Sequence, residues 1–494
     1  MNALAKLVAT HLAILILASS YLVPMMASRG VPPGEIDLPW LEEQTSAVLE
    51  NNRVTEQRTW NRREELCVFH APSLEGDLPS WLPGWLRHLW RNIMLPWQQI
   101  YPHQWFWDSC AHAIVLSSID VGLAEKEIES LLYAQREDGF IPHMIWNKPR
   151  MHWVDRLLQL VYPSRHTSAY IQPPALAQAV EAIYGRSGDI EFVRRVLPQL
   201  KRYYLYLDKE RDRNGDNLIE IIISYESGKD RSPEYDPVYG ESNAQPVWRG
   251  PMLKLMLRHR LMGWDMNKIT ASNKFRVKDV LVNCIYAQNL FALGRLCQVV
   301  EDNWGEFFHR QGLKVEEAIL SQMYDEESGL FYSLDARRGQ NKQLEVNTIS
   351  SLMPLMLDNI DQGKVERLID EHLLNPQEYW LRYPLPVVPL ESVKEEREDH
   401  IIWRGLQTWV YPNWYIAKGL RKQAQRFPEH FQEYNRIADE LALRTYELVR
   451  RQGFCDLYHS QSGDGSACCP FSWSTLVLDM ALDAARAPGA SIGQ

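Results

Sequence analysis

The chemistry in this chain starts with its carboxylates. From Tyr225 to Asp236 it reads Tyr225-Glu226-Ser227-Gly228-Lys229-Asp230-Arg231-Ser232-Pro233-Glu234-Tyr235-Asp236, four acids in the eleven residues from Glu226 on, with Gly and Pro stiffening an irregular loop. Cleaving an acetal needs a carboxylic acid that still holds its proton near neutrality. Carboxylates crowded together away from water have that property, because burial and like charge both disfavour ionisation. Lys229 and Arg231 oppose the effect if they point at Asp230. A solvated charged turn is the alternative reading of the loop. A second candidate carboxylate, Asp456, lies far along the chain in Gly453-Phe454-Cys455-Asp456-Leu457-Tyr458.

Aromatic residues surround these acids in sequence. The chain has 18 Trp and 22 Tyr. An indole is costly to expose, and its N–H needs a partner when buried. Some of these rings are expected to form a binding surface, since the apolar C–H faces of sugars stack on indoles, and the rest are core. One aromatic run is Tyr101-Pro102-His103-Gln104-Trp105-Phe106-Trp107-Asp108-Ser109, where Asp108 or Ser109 can cap the next helix. Another is Trp403-Arg404-Gly405, running on to Trp409, Asn413 and Trp414. A third is Phe471-Ser472-Trp473-Ser474, after Gly463-Asp464-Gly465. Between them, Gln135 to Met144 includes Gly139, a plausible left-handed helix stop, and His143, which can bond a sugar hydroxyl or serve the core. Taken singly, Arg404 reads as a structural ion pair, and Trp409, Trp414 and Trp473 as core.

These stretches interrupt a helical chain. Apolar residues recur near the 3.6 period over 40–51, 108–119, 121–136, 173–184, 188–211, 276–302, 312–324, 347–358, 363–373, 402–422, 427–452 and 471–486. Strand patterns are few and short. Helices in adjacent pairs, some apolar on both faces, predict an all-α toroid, an (α/α)6 six-hairpin barrel with irregular loops forming the active site. Residues 1–34 are expected to be a leader and linker, 35–486 one catalytic domain and 487–494 a disordered tail. Residues 7–27 carry no Asp, Glu, Lys or Arg. They suit a secretory signal or a membrane anchor, and are the one place where membrane contact is expected; a non-native start ahead of a cytoplasmic enzyme is the alternative. No Asn-x-Ser/Thr sequon occurs in the chain. The Trp- and Pro-rich stretch 79–102 reads as a buried wrapping segment, with a lid or an aromatic contact surface for a membrane or a partner as the alternatives.

A net charge of −10 without a long basic run argues against nucleic acid as partner. The seven Cys (Cys67, Cys110, Cys284, Cys297, Cys455, Cys468 and Cys469) are odd in number and contain no C-x-x-C pair. They are read as reduced thiols, with no zinc site. Asp212-Arg213-Asn214-Gly215-Asp216 is faintly like a calcium loop, but Ile221 stands where an EF-hand needs Glu. It is read as a helix-ending turn. No metal and no cofactor is called for, and the oligomeric state is not legible.

In order, the motifs are Trp105-x-Trp107-Asp108, then Glu226-Ser227-Gly228-x-Asp230-x-Ser232-Pro233-x-x-Asp236, Trp403-Arg404-Gly405 with Asn413-Trp414, and Gly453-Phe454-x-Asp456 with Phe471-Ser472-Trp473-Ser474. From about Trp40 to Leu482 they resemble the toroidal enzymes of glycoside hydrolase family 63, in particular the mannosylglycerate and glucosylglycerate hydrolases. The resemblance implies hydrolysis of alpha-glucosidic or alpha-mannosidic bonds of a small glycoside with inversion. It makes Asp230 the general acid and Asp456 the general base, although the family carries Glu at the latter position. Asp is one methylene shorter, about 1.5 Å, and the charged neighbours of Asp230 are a second departure. The resemblance also implies that Tyr101, Trp105, Trp107, Asp108, His143, Gln172, Glu226, Trp403, Arg404, Tyr458 and Trp473 bind substrate. An aglycone carboxylate has Arg404, Lys229, Arg231 or Arg165 to receive it. The alternatives are a weak or inactive carbohydrate-binding toroid, another glucosidase on this barrel (trehalase- or debranching-like) and a lyase.

Overall fold

The computed structural model describes residues 35–61, 64–74, 101–151, 153–244, 250–393 and 401–486. The leader stretch 7–27, the 487–494 tail and most of the Trp/Pro stretch lie outside the described residues.

The principal helices are α1 (Leu38–Asn52), α2 (Phe106–Leu116), α3 (Val121–Tyr133), α4 (Leu176–Ser187), α5 (Ile190–Arg211), α6 (Val280–Val299), α7 (Gly305–Gln322), α8 (Val410–Arg426), α9 (Phe431–Gln452) and α10 (Leu476–Arg486). A 3-10 helix, Ile349–Met356, and a helical stretch, Gln362–Glu366 continuing as a π-helix over Arg367–Leu373, complete the set.

Burial divides these elements into two rings. Every residue of α2 and of Ile349–Met356 is buried, and α6 is buried along nearly its whole length. Helix α6 is long and apolar enough to cross a membrane, but 94% of its apolar window is packed inside the protein. The long helices α5 and α9 bury one stripe and expose the other, as helices with a single core face do. Contacts close the inner ring in the order α2, α4, α6, Ile349–Met356, α8, α10 and back to α2. Each inner member packs on an outer one: α3 on α2, α5 on α4, α7 on α6, the π-helix on Ile349–Met356, α9 on α8 and α1 on α10. This is the (α/α)6 toroid. Helix α1, from the start of the described chain, closes the ring on α10, from its end.

Several boundaries differ from the periodic reading. Helix α6 begins at Val280, not 276, because Asp279 accepts the Val282 N–H and caps it. Helix α7 starts at Gly305, seven residues before 312. The segment 347–358 is 3-10 rather than α, with Pro354 inside it. Helix α8 begins at Val410, so 402–409 is non-helical, with a short strand at Gln407–Thr408, and α10 is preceded by a 3-10 turn, Ser472–Thr475. An antiparallel hairpin, β1 (Arg53–Arg58) with β2 (Glu65–His70), follows α1 and leads to Pro72.

Cys455 and Cys469 form a disulfide, which corrects the reading of seven reduced thiols. The pairing skips the neighbour Cys468, and the five other Cys are free and buried.

Candidate functional site

Every segment that builds the site leads into an inner-ring element. A hollow open to solvent is lined by Pro72, Tyr101, Trp105, Trp107 and Asp108 ahead of or entering α2, and by Gln172 ahead of α4. Gly228 and Asp230 come from the long connection to α6. Ile402, Trp403 and Trp409 precede α8, and Asp456, Phe471 and Trp473 precede α10. The hollow therefore sits at the N-terminal end of the inner ring. Helix N-termini carry partial positive charge, which favours anions near them.

Asp108 occupies the first turn of α2, whose N-cap is Trp105 without a side-chain cap bond. The expectation that Asp108 or Ser109 caps the helix is corrected: Asp108 is directed to the cavity and Ser109 bonds Glu127 and Gln104. Gln172 accepts the Trp107 N–H at 3.1 Å through its Oε1, and the Tyr411 hydroxyl donates to the Trp107 carbonyl. Trp107 is thereby fixed at the floor. Gly228 lies against it with φ 74°; a Cβ there would stand 2.4 Å from the Trp107 ring. Only glycine satisfies both the left-handed backbone and that contact.

The rings form a connected wall. Trp403 stacks on Trp409 at 4.1 Å and 8° between planes, and Trp473 meets Trp409, Trp107 and Phe471 edge-on. Trp403 holds φ at 61°, a strained conformation for an aromatic residue that brings its ring into the stack. The indole N–H groups of Trp105 and Trp409 and Oδ1 of Asp456 are buried and have no hydrogen-bond partner among the described residues. Buried polar groups are nearly always paired. Three lining the same hollow mark a place that takes a polar ligand.

The three carboxyls of the hollow are all pushed toward their protonated forms. Burial raises Asp230 to about 7, against the Arg231 guanidinium, which lowers it. Burial raises Asp108 to about 8, with the charges of Glu127 and Asp230 adding. Asp456 is raised well above the ordinary carboxylate range, first by burial, then by Asp108 and Asp230. The latter two long-range effects tie the three acids into one electrostatic cluster.

The remaining expected binding residues stand outside the lining. Glu226 is buried and takes a bidentate ion pair from Arg211 while accepting the N–H groups of Ile171 and Ile222 at 3.0 and 2.8 Å. It thus joins the α5 terminus, the Gln172 segment and the Asp230 loop. Arg404 pairs with Asp236 at 2.8 and 2.9 Å and donates from Nε to the Arg231 carbonyl. His143 is buried beside Ser168, with burial lowering its pKa to about 3. The Tyr458 hydroxyl donates to the Gly453 carbonyl and accepts the Cys455 N–H. Lys229 turns away from Asp230 into a buried network with Glu234, Asp279 and Ser350. In the turn 212–216, the Asp216 carboxylate is taken by Lys278 and Asn341.

Sequence reasoning missed Pro72, Gly228, Ile402 and Phe471 as lining residues and set Trp409 aside as core. Gly228 carried a signal, since a glycine two residues before the acid in a crowded loop marks a close approach. Pro72 carried none.

The toroid and its carboxylate-lined hollow are those of an all-helical glycoside hydrolase. The family described as the mannosylglycerate hydrolase MGH1-like glycoside hydrolase domain matches residues 101–474, and the chain belongs to it. A mannosylglycerate hydrolase of Thermus thermophilus is 27% identical over 414 residues, spanning 77% of this chain and 94% of the relative. A glucosylglycerate hydrolase of Mycolicibacterium hassiacum is 26% identical over 383 residues, 66% of this chain and 82% of that one. The crystal structure of a GH63 mannosylglycerate hydrolase from Thermus thermophilus in complex with glucose superimposes with a TM-score of 0.69 at 24% identity, covering 90% of this chain and all (100%) of that one. Neutral trehalase from Saccharomyces cerevisiae shares the fold at a TM-score of 0.51 and 13% identity, over 92% of this chain and 80% of that one.

Proposed function

We propose that this glycosidase hydrolyses the alpha-glucosidic or alpha-mannosidic bond of a small anionic glycoside, such as glucosylglycerate or mannosylglycerate, with inversion. The observation that carries the reading is the joint presence of Asp230 and Asp456 in one aromatic hollow. Protonated Asp230 donates to the glycosidic oxygen as the C1–O bond breaks. Ionised Asp456 takes a proton from the water that attacks C1 from the opposite face. Asp230 ends ionised, Asp456 protonated, and one proton exchange with solvent resets both. An inverting pair stands about 6.5–9.5 Å apart to admit that water. Trp105, Trp107, Trp403 and Trp473 pack on the ring, and Asp108 and Gln172 bind its hydroxyls.

Of the four basic residues available for an aglycone carboxylate, Lys229 and Arg404 are already engaged by carboxylates, and Arg165 is exposed. Arg231 follows the acid directly, interacts with Asp230 and Tyr101 through space, and has no ion-pair partner among the described residues. It receives the carboxylate. A panel of alpha-glucosides, alpha-mannosides and their glycerates, assayed for released sugar, tests the function. Turnover of the glycerates with weak turnover of neutral aglycones supports it. Binding without cleavage, measured by calorimetry, means a carbohydrate-binding toroid instead.

A further inference from the structure

An aspartate places its carboxyl by placing its backbone, because only one methylene separates the two. Asp456 sits between helix α9 and the short strand Leu457–His459, in a segment with no helical ladder of its own. What fixes it is a set of cross-connections to 465–474. Its N–H donates to the Cys468 carbonyl at 2.8 Å, and its carbonyl accepts the Trp473 indole N–H at 3.3 Å. The Ser474 hydroxyl donates to the Cys455 carbonyl at 2.6 Å. The one covalent tie is the disulfide from Cys455, the residue before Asp456, to Cys469, two residues before Phe471 in the cavity wall. Gly465 is packed beneath it, where a Cβ would stand 2.5 Å from Cys455 Sγ.

We propose that the Cys455–Cys469 bridge is a positioning cross-link for the Asp456 carboxylate: it locks the base-bearing segment to the aromatic wall so that the short side chain reaches the attacking water. The proposal rests on Asp456 acting as base. The bridge touches no substrate. Its contribution is geometric, and misplacement of a reacting group by about 1 Å can cost on the order of 100-fold in rate.

The test compares the oxidised full-length chain with a Cys455→Ser/Cys469→Ser double variant, which also prevents Cys468 from forming a substitute bridge. The readouts are kcat and KM on whichever glycoside of the panel the oxidised protein turns over. The expected result is a kcat lower by about 10- to 100-fold with KM within threefold, and partial recovery of kcat when Asp456→Glu is added, since the longer side chain restores reach. In the bridged protein Asp456→Glu is expected to lower kcat. If the double variant does not fold, reduction of the folded wild type gives the same readout. A dithiol cleaves the S–S bond and is itself oxidised to a cyclic disulfide, leaving two thiols countable by alkylation and mass. Cys469 is partly exposed, so reagent reaches the bridge. Unchanged kcat after verified loss of the bridge overturns the proposal and leaves the hydrolase reading intact. A lower kcat that Asp456→Glu does not improve overturns it too, assigning the bridge to general stability. No turnover by the oxidised wild type on the whole panel refutes the hydrolase reading and this proposal with it.

Discussion

The two segments that carry the paired carboxylates are held in opposite ways. The Asp230 loop is fixed by buried charge: Glu226 with Arg211 on one side, Lys229 with Glu234 and Asp279 on the other. The Asp456 segment, 453–458, is held by backbone hydrogen bonds, hydroxyls and a disulfide. The contrast has a physical reason. As the proposed acid, Asp230 has to keep a proton, and its flanking cations are either consumed by other acids or, as with Arg231, left to moderate it. As the proposed base, Asp456 has to lose its proton in a hollow that already holds two acids. A structural carboxylate added nearby would raise its pKa further, and a cation would blunt it as a base. Neutral ties avoid both.

The sharpest way to break the contrast is at the acids themselves. Asp230→Asn and Asp456→Asn are each expected to lower kcat by about 10²- to 10⁴-fold, measured as released sugar, while the fold persists by circular dichroism. The signs of their stability effects follow from the raised pKa values. A carboxyl whose folded pKa lies above its unfolded value binds its proton more tightly when folded, so it costs stability as pH rises from the unfolded pKa, about 4, through the folded one. Asp230→Asn should therefore raise the thermal midpoint relative to wild type at pH 8, and the gain should vanish below about pH 4. A lower midpoint at pH 8 would mean that Asp230 is stabilised as an anion.

The next largest effect belongs to the charge network behind the acid. Arg211→Met strands the Glu226 carboxylate in the core and is expected to cost about 3–5 kcal/mol, read in a denaturant titration. Loss of activity should accompany it, because Ile171, Ile222 and the Asp230 loop lose a shared anchor. Gly228→Ala is smaller in stability, about 1–3 kcal/mol for a strained left-handed residue. It pushes on Trp107 directly, so KM should rise more than kcat falls. The smallest effect is expected at Arg231. Arg231→Ala should raise KM for glycerate glycosides by roughly tenfold, one lost charge-assisted hydrogen bond, and leave KM for neutral aglycones unchanged. The pH profile of kcat/KM should have its alkaline limb near pH 7, the value to which burial raises Asp230.

The helical hairpins were legible because the inner helices are apolar on all sides and the outer ones on a single stripe, as α6 and α9 show. The helix starts were less so. Val410 follows a non-helical segment, 402–409, whose apolar residues Ile402, Trp403, Leu406 and Trp409 keep helical spacing, and periodicity cannot separate them. The site was legible at its acids and at four of its rings: Asp230, Asp456, Asp108, Trp105, Trp107, Trp403 and Trp473 all line the hollow. It was opaque where one polar residue can bind ligand or hold a loop. Glu226, Arg404, His143 and Tyr458 look alike in sequence whichever they do, and partners distant along the chain, such as Arg211 and Asp236, decided against lining. The disulfide was hidden by the adjacent Cys468, because a sequence of neighbouring cysteines gives no hint of which one reaches back.

In the proposed mechanism Asp230 and Asp456 act on opposite faces of one sugar with a water between them, which leaves a stereochemical signature. Proton NMR of the first sugar released from an alpha-glucoside or alpha-mannoside of glycerate, followed before mutarotation, reads it most directly. The β-anomer is expected to appear first. The α-anomer appearing first would require a glycosyl-enzyme intermediate and a closer pair of carboxylates, and would contradict the assignment of the two acids.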